Sequence, residues 1–259
     1  MPYDEDLSSL VLATKRASRS LPESVELERQ RRQHRLDDRE GNAPLLLTEI
    51  ERDALSELVN IGVSQAASGL RTMVGEQIML SVPTLELMSH RDAVALLNKK
   101  EQGDLVAVRQ SFSGIFAGRA LLIFPYTSSV ALAHAIVGDE LTGDDFAEIE
   151  NDTLAETGNI ILNGCLGSIA NTLNQSVEMD LPLVVRGNGA RVFELDEAPT
   201  EEASVMFLYI DFKIKSRDIR GYIAMLMGVS SLVVLKQCLN DFLAHLTSFE
   251  SIAAEGTQD

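Results

Sequence analysis

Apolar residues at Leu55, Leu58, Val59, Ala66 and Leu70 recur at the three-to-four-residue spacing of a helix with one buried face. Thr48 precedes them and Glu51 follows three residues later, the arrangement of a capping box, so a helix is predicted over 48–70. The stretch 77–83 reads as extended and 91–97 as a short helix. Two strand-like runs, 104–112 and 118–124, flank a Ser-Gly turn region, and a helix follows at 128–136. The order then repeats: a long helix over 149–173, an extended 177–182, strands at 205–213 and 221–227, and a closing helix at 230–242.

The repetition reaches single residues. Asp53, Leu55, Glu57, Asn60 and Ile61 stand 99 positions before Asp152, Leu154, Glu156, Asn159 and Ile160, and Pro83 keeps that offset from Pro182. Further on, Gly118 pairs with Gly221, and Ser128-Ser129 with Ser230-Ser231, after small insertions. A duplicated chain implies two similar α+β halves related by a pseudo-two-fold. The strand pairs are expected to merge into one antiparallel sheet packed with long helices. The chain divides into a charged extension over 1–45, a body over 46–246 with halves of about 46–142 and 143–246, and a tail over 247–259. The extension, with Glu26, Glu28, Arg29, Arg31, Arg32 and Arg35, has little to bury and reads as a solvated helix or as disorder. A docking segment is the sharper reading of it.

Charge narrows the function. The net charge is −17, and the extension, holding 8 of the 22 basic and 9 of the 39 acidic residues, contributes almost none of it. So acidic a body argues against nucleic-acid binding and against docking on anionic membrane. No apolar stretch approaches the roughly 20 residues of a membrane span, and no secretory signal is read at the N-terminus. Cys165 and Cys238 lie in apolar segments with no metal-ligand spacing, which fits a reducing, cytoplasmic setting. His34, His90, His134 and His245 are scattered, so no metal site is expected.

What remains alike between the two long helices is polar. Each carries Asp-x3-Glu-x2-Asn, followed after 22 residues by Pro. Positions i, i+4 and i+7 share one helix face, and Ser64 and Asn163 extend the stripe by a turn. One such stripe is ordinarily a solvated face. Two at identical spacing are different, because the neighbouring Gly62, Val63, Ser64 and Gln65 have become Ile161, Leu162, Asn163 and Gly164. The carboxylate and the amide persist where their surroundings diverge.

At these residues the chain resembles the CheC, CheX and FliY family of response-regulator phosphatases, over about 48–243. Asp53, Glu57, Asn60 and Pro83 fit the family pattern once, and Asp152, Glu156, Asn159 and Pro182 fit it again. Two intact copies look like CheC; CheX is similar to a shorter chain with one. FliY and FliM carry a C-terminal switch domain for which this chain has no room, and FliM-like middle domains lack the catalytic pair. The extension before residue 45 departs from CheC-like proteins.

The resemblance implies hydrolysis of the aspartyl phosphate on a CheY-like receiver domain. The receiver supplies Mg²⁺ and a Lys, and this chain binds no cofactor. Such transfer needs positioning more than covalent chemistry. An amide carbonyl accepts a hydrogen bond from water and its NH₂ donates to a phosphoryl oxygen, so Asn60 and Asn159 are assigned to orienting the water. Glu57 and Glu156, one turn earlier, pair with the receiver's Lys, and Asp53 and Asp152 bias docking or merely solvate the helix. On this reading, loss of either Asn leaves activity from the other half. The alternative is a non-catalytic adaptor that binds CheD or sequesters a phosphorylated receiver. A flagellar-switch subunit is a third class. Gly164-x2-Gly167 reads as a tolerated packing choice, with a close helix or strand approach as the alternative, and Gly187, Asn188 and Gly189 read as a turn.

Overall fold

The computed structural model describes residues 47–74, 78–81, 84–138, 144–194, 204–214 and 217–255. The 1–45 extension and Pro83 lie outside the described residues.

The first half runs α1 (Glu49–Val74), β1 (Ile78–Ser81), β2 (Leu85–Ser89), α2 (His90–Lys100), β3 (Leu105–Gly114), β4 (Gly118–Pro125) and α3 (Tyr126–Val137). The second half runs α4 (Asp144–Thr172), β5 (Val177–Met179), β6 (Leu183–Gly187), the single turn α5 (Gly189–Val192), β7 (Ser204–Ile214), β8 (Arg217–Met227) and α6 (Val229–Glu255). The predicted order is present, with three corrections. Strands β2 and β6 were missed, being short and lacking clean alternation. Asn188 does not merely turn the chain: its side chain accepts from the Arg191 backbone N–H and caps α5. The closing helix does not stop near 242 but continues to Glu255.

One eight-stranded sheet forms, every recorded pairing antiparallel, in the order β1-β7-β8-β4-β3-β5. Strand β2 also pairs with β7, and β6 also pairs with β3. The order is therefore palindromic about β4 and β8. The short strands of each half lie against the long strand of the other, so neither half closes its own sheet edge.

The long strands are buried on both faces, which explains their near-continuous apolar runs. Val106, Val108, Phe112, Leu122, Phe124, Met206, Leu208 and Met225 face one core, beneath the long helices. Leu105, Ala107, Leu121, Ile123, Phe207 and Tyr222 face a second, which takes in Ala93 and Leu97 of α2 and Phe193 after α5. Helix α1 sends Leu55, Leu58, Val59, Val63 and Leu70 into the first core, each fully buried. Each such side chain contributes roughly 1.5–3 kcal/mol.

Helices α1 and α4 cross in contact, and glycine sets their distance. A Cβ at Gly62 would stand 2.3 Å from the Gly164 carbonyl oxygen, and one at Gly164 would stand 2.8 Å from that of Gly62. Gly164 is thus required by a close approach, against the expectation of tolerated packing. Gly167, with nothing within 4 Å of its own Cβ position, matches that expectation.

Candidate functional site

At about 100° per residue, Asp53, Glu57, Asn60 and Ser64 span an arc of roughly 60° on α1. Gly62 lies roughly 170° around from the centre of that arc, so the helix crossing leaves the stripe outward. Asp53 and Ser64 are exposed, and Glu57 and Asn60 half-buried. On α4, Asp152, Glu156 and Asn163 are exposed and Asn159 is half-buried. In the second copy Asn159 is the deepest of the row and touches the sheet through Gln110, whereas in the first Asn60 and Glu57 are both half-buried.

Two carboxylates 99 residues apart are held by basic side chains: Glu51, read from the sequence as part of the capping box of α1, and Glu150, inside α4 (Asp144–Thr172), which sequence reading did not single out. The capping box is present. The Thr48 backbone N–H donates to Glu51 at 2.6 Å, and the Glu51 N–H donates to the Thr48 hydroxyl at 3.3 Å. Lys236 of α6 adds an ion pair with Glu51 at 3.3 Å. Burial pushes the Glu51 carboxyl up, but hydrogen bonds from the Thr48 backbone, Asn240, the Thr48 hydroxyl and Lys236 outweigh it, leaving the pKa below its ordinary value. Glu150 is held instead by Arg186 of β6 at 3.1 Å.

Around Asn159 the structure shows a network that the sequence did not announce. The Asn159 Oδ1 accepts from Asn163 Nδ2 at 2.7 Å and from Gln110 Nε2 at 3.0 Å. The same Gln110 amide donates to the Asp180 carbonyl at 3.0 Å. Asp180 is followed by Leu181, 90% exposed, and then by Pro182. Pro182 lies between β5 and β6, where the strand lying against β3 is interrupted. The remote Pro of the repeated pattern thus joins its helix through Asn159, Gln110 and the Asp180 carbonyl.

Gln110 occupies an inward position of β3, between Val108 and Phe112 on that face, and is 1% exposed. Its Oε1 is buried without a partner among the described residues, at a cost of about 1–3 kcal/mol. The signal that could have found it was a lone amide in an otherwise apolar alternation. Gly158 brings α4 close enough, since a Cβ there would lie 2.4 Å from Val108 Cγ1. At the matching place in α1 stands Val59.

The other singled-out groups stay outside these stripes. Cys165 is fully buried and its thiol is pushed up to about 12 by desolvation, which leaves it unreactive near neutrality. Cys238 is only half-buried, short of the expected buried position. Met225 and Met227 are core residues, as read. Among the described residues no group of three or more His, Cys, Asp or Glu side chains could hold a metal ion, and no helix is long and apolar enough to cross a membrane.

Comparison with known proteins supports the resemblance read from the two stripes. The model of the CheC-like family matches residues 50–87, the segment that holds Asp53, Glu57, Asn60 and Pro83. The chain is 21% identical over 171 residues to the flagellar motor switch phosphatase FliY of Bacillus subtilis, covering 65% of this chain and 43% of that protein. It is 24% identical over 136 residues to the putative CheY-P phosphatase CheC1 of Halobacterium salinarum, covering 52% of this chain and 68% of that one. Among solved structures, Thermotoga maritima FliY superposes with a TM-score of 0.60 at 18% identity, covering 76% of this chain and all of that one. The fold is thus shared with FliY, while the chain spans less than half of the Bacillus FliY it matches.

Proposed function

We propose that this chain hydrolyses the aspartyl phosphate of a phosphorylated CheY-like receiver domain, with the two long helices as docking elements. The carrying observation is the repeated stripe: a carboxylate at Glu57 or Glu156 and, nearly one turn on, a half-buried amide at Asn60 or Asn159. The relatives' names, phosphatases of the flagellar switch or of CheY-P, agree with this reading.

The chemistry follows from what each partner brings. An acyl phosphate on an aspartate is already reactive, and a receiver site provides Mg²⁺ and a Lys to neutralise the phosphoryl oxygens. This chain adds position. A carboxylate at Asn60 or Asn159 would repel the phosphoryl group, whereas a neutral amide can hold water with its oxygen and the phosphoryl group with its NH₂. Glu57 and Glu156 reach the receiver's Lys and fix the helix over the site. Asp53 and Asp152, outermost in each row, add to the acidic field that draws the cationic site in. Leu181, beside the second stripe, offers the apolar contact that an otherwise charged interface needs.

The test is phosphate release from a phosphorylated receiver domain at substoichiometric amounts of the chain. Acceleration with turnover is expected, and Asn60→Ala with Asn159→Ala together reduces it by about 10²-fold or more. Acceleration unaffected by the double change would sink the assignment. Protection of the phosphoryl group, saturating only at equimolar chain, would identify an adaptor that sequesters the receiver.

A further inference from the structure

We propose that Gln110 is a positioning residue that joins the exposed Leu181 segment to the Asn159 amide, so that the second stripe meets a phosphorylated receiver at two fixed points, one apolar and one an N–H donor. The proposal rests on the phosphatase reading and deepens it by naming what holds the second site in register with its partner.

Strands β5 and β6 lie end to end against β3, and the register slips by one residue between them. Phe112 faces Met179, whereas Arg109 faces Leu183. Asp180, Leu181 and Pro182 therefore stand opposite only Gln110 and Ser111, a β-bulge with one extra residue. A bulge breaks the ladder and re-aims a side chain. Pro182 is tolerated there, because a residue without an N–H fits where the ladder is broken. Leu181 is the side chain sent into solvent, at 90% exposure.

The bulge is held on both sides. The Asp180 backbone N–H donates to the Ser111 carbonyl at 3.0 Å. The Asp180 carbonyl accepts from Gln110 Nε2 at 3.0 Å, so a side chain supplies the donor that the broken ladder does not. The same NH₂ donates to Asn159 Oδ1 at 3.0 Å. A backbone carbonyl can only accept, which fixes the Gln110 NH₂ toward Asp180 and turns the Asn159 oxygen to meet it. Asn163 Nδ2 donates to that oxygen as well, at 2.7 Å. The Asn159 NH₂ is left on the stripe as a donor, where a phosphoryl oxygen can accept from it.

Packing does not explain an amide at this place. Gln110 is 1% exposed, and its own Oε1 has no partner among the described residues. A methionine would fill the layer without burying a bare acceptor. What methionine cannot do is donate to Asp180 and Asn159 at once. The two points that Gln110 ties suit one partner. The phosphoryl oxygens of a receiver accept from the Asn159 NH₂, its Lys meets the exposed Glu156 on the same helix, and an apolar side chain at the rim of its site covers Leu181.

The test is binding, by calorimetry, of a CheY-type receiver carrying Mg²⁺ and beryllofluoride, a stable mimic of its phosphoryl group, beside the same receiver without beryllofluoride. Glu57→Lys is present in every full-length chain titrated, so that the second stripe is the one read. Gln110→Met is expected to weaken binding of the beryllofluoride form by about 10-fold or more, and of the bare receiver by a smaller factor. Added to Asn159→Ala with Leu181→Asp, the same change costs less than about 2-fold, because the groups it holds are already gone. Unchanged binding, or an equal loss in that background, overturns the proposal. Stability separates the effect from damage to the core: the urea midpoint of Gln110→Met is expected at or above native, since the buried bare acceptor is gone. If the variant does not fold, the native chain decides. Its Asn159 NH₂ is expected to be rigid in side-chain amide NMR, and its Asp180 amide protected from hydrogen exchange. A freely reorienting Asn159 NH₂, or an Asp180 amide that exchanges like an open loop, overturns the proposal without any partner present. A chain in which both groups are held, yet which binds the two receiver forms alike, overturns the phosphatase reading and the receiver as occupant, while the tie through Gln110 stands.

Discussion

Adding one methyl group at the crossing of α1 and α4 sets two opposed effects against each other. Gly62→Ala replaces a poor helix former in a helix interior, which alone stabilises by about 1 kcal/mol. Its Cβ, however, would sit 2.3 Å from the Gly164 oxygen and 2.8 Å from both the Gly164 carbonyl carbon and the Cys165 Cα. All three obstacles are main chain, so no rotamer relieves them. Restoring ordinary contact, which begins at 3.4 Å, requires the helices to part by about 1 Å over a packed core. Overpacking costs about 1–3 kcal/mol, and immovable backbone places this case at or beyond the top. The net expectation is a loss of about 2 kcal/mol. Gly167→Ala is the control, because nothing lies within 4 Å of the new Cβ. It is expected to gain about 0.5–1 kcal/mol from propensity alone. Urea unfolding followed by far-UV circular dichroism, at unchanged m-value, reads both. A Gly62→Ala chain as stable as Gly167→Ala would refute the claim that glycine sets this helix distance.

Other consequences follow from single groups. Leu181→Asp, at a 90% exposed position, is expected to leave the urea midpoint within about 0.5 kcal/mol of native. It should nevertheless weaken binding of a phosphorylated receiver, in calorimetry or fluorescence titration, by about 5-fold or more; unchanged binding would remove Leu181 from the interface. The Glu51 carboxyl is held below its ordinary value, so its contribution is complete above the unfolded-state pKa and is lost as pH falls through the lower folded value. Urea midpoints should therefore drop as pH falls below the ordinary glutamate range of about 4.3, and Glu51→Gln should flatten that slope while lowering the plateau. An identical slope in the variant would mean that other carboxylates dominate the acid limb.

The long helices were legible because their signals are local. Thr48 and Glu51 announce a start within four residues, and the buried face of α1 repeats every turn. The four long strands were legible as apolar runs and as two pairs merging into one antiparallel sheet, but the partners of the short strands were not. No local pattern tells β1 and β2 to lie on β7, because that choice is made by two halves competing for the same edges. Strands of five residues such as Leu85–Ser89 and Leu183–Gly187 gain their identity from the neighbour they pair with. The stripe was legible because its residues lie on one helix, and what the structure adds is their depth. Asn60 and Asn159 are half-buried while the outermost carboxylates stand in solvent, a difference set by the sheet below.

The network at Asn159 shows why the site could not be read from one half of the chain. Asn159 and Asn163 belong to α4, and Asp180 follows β5, all in the second half. Gln110 belongs to β3 of the first half, and reaches them only because β5 and β6 cross over to pair with β3. An exchanged strand thus carries its carbonyl to the one side chain that can relay it to the helix. Divergence at that side chain, from an apolar residue to an amide or back, alters the state of the opposite half's amide without touching the stripe itself. A sheet whose short strands are exchanged between its halves can therefore retune one of the two stripes by a single substitution. Gln110→Met is the smallest change that tests this, since it alters neither helix, and it should shift the Asn159 amide while leaving the Asn60 amide resonances in place.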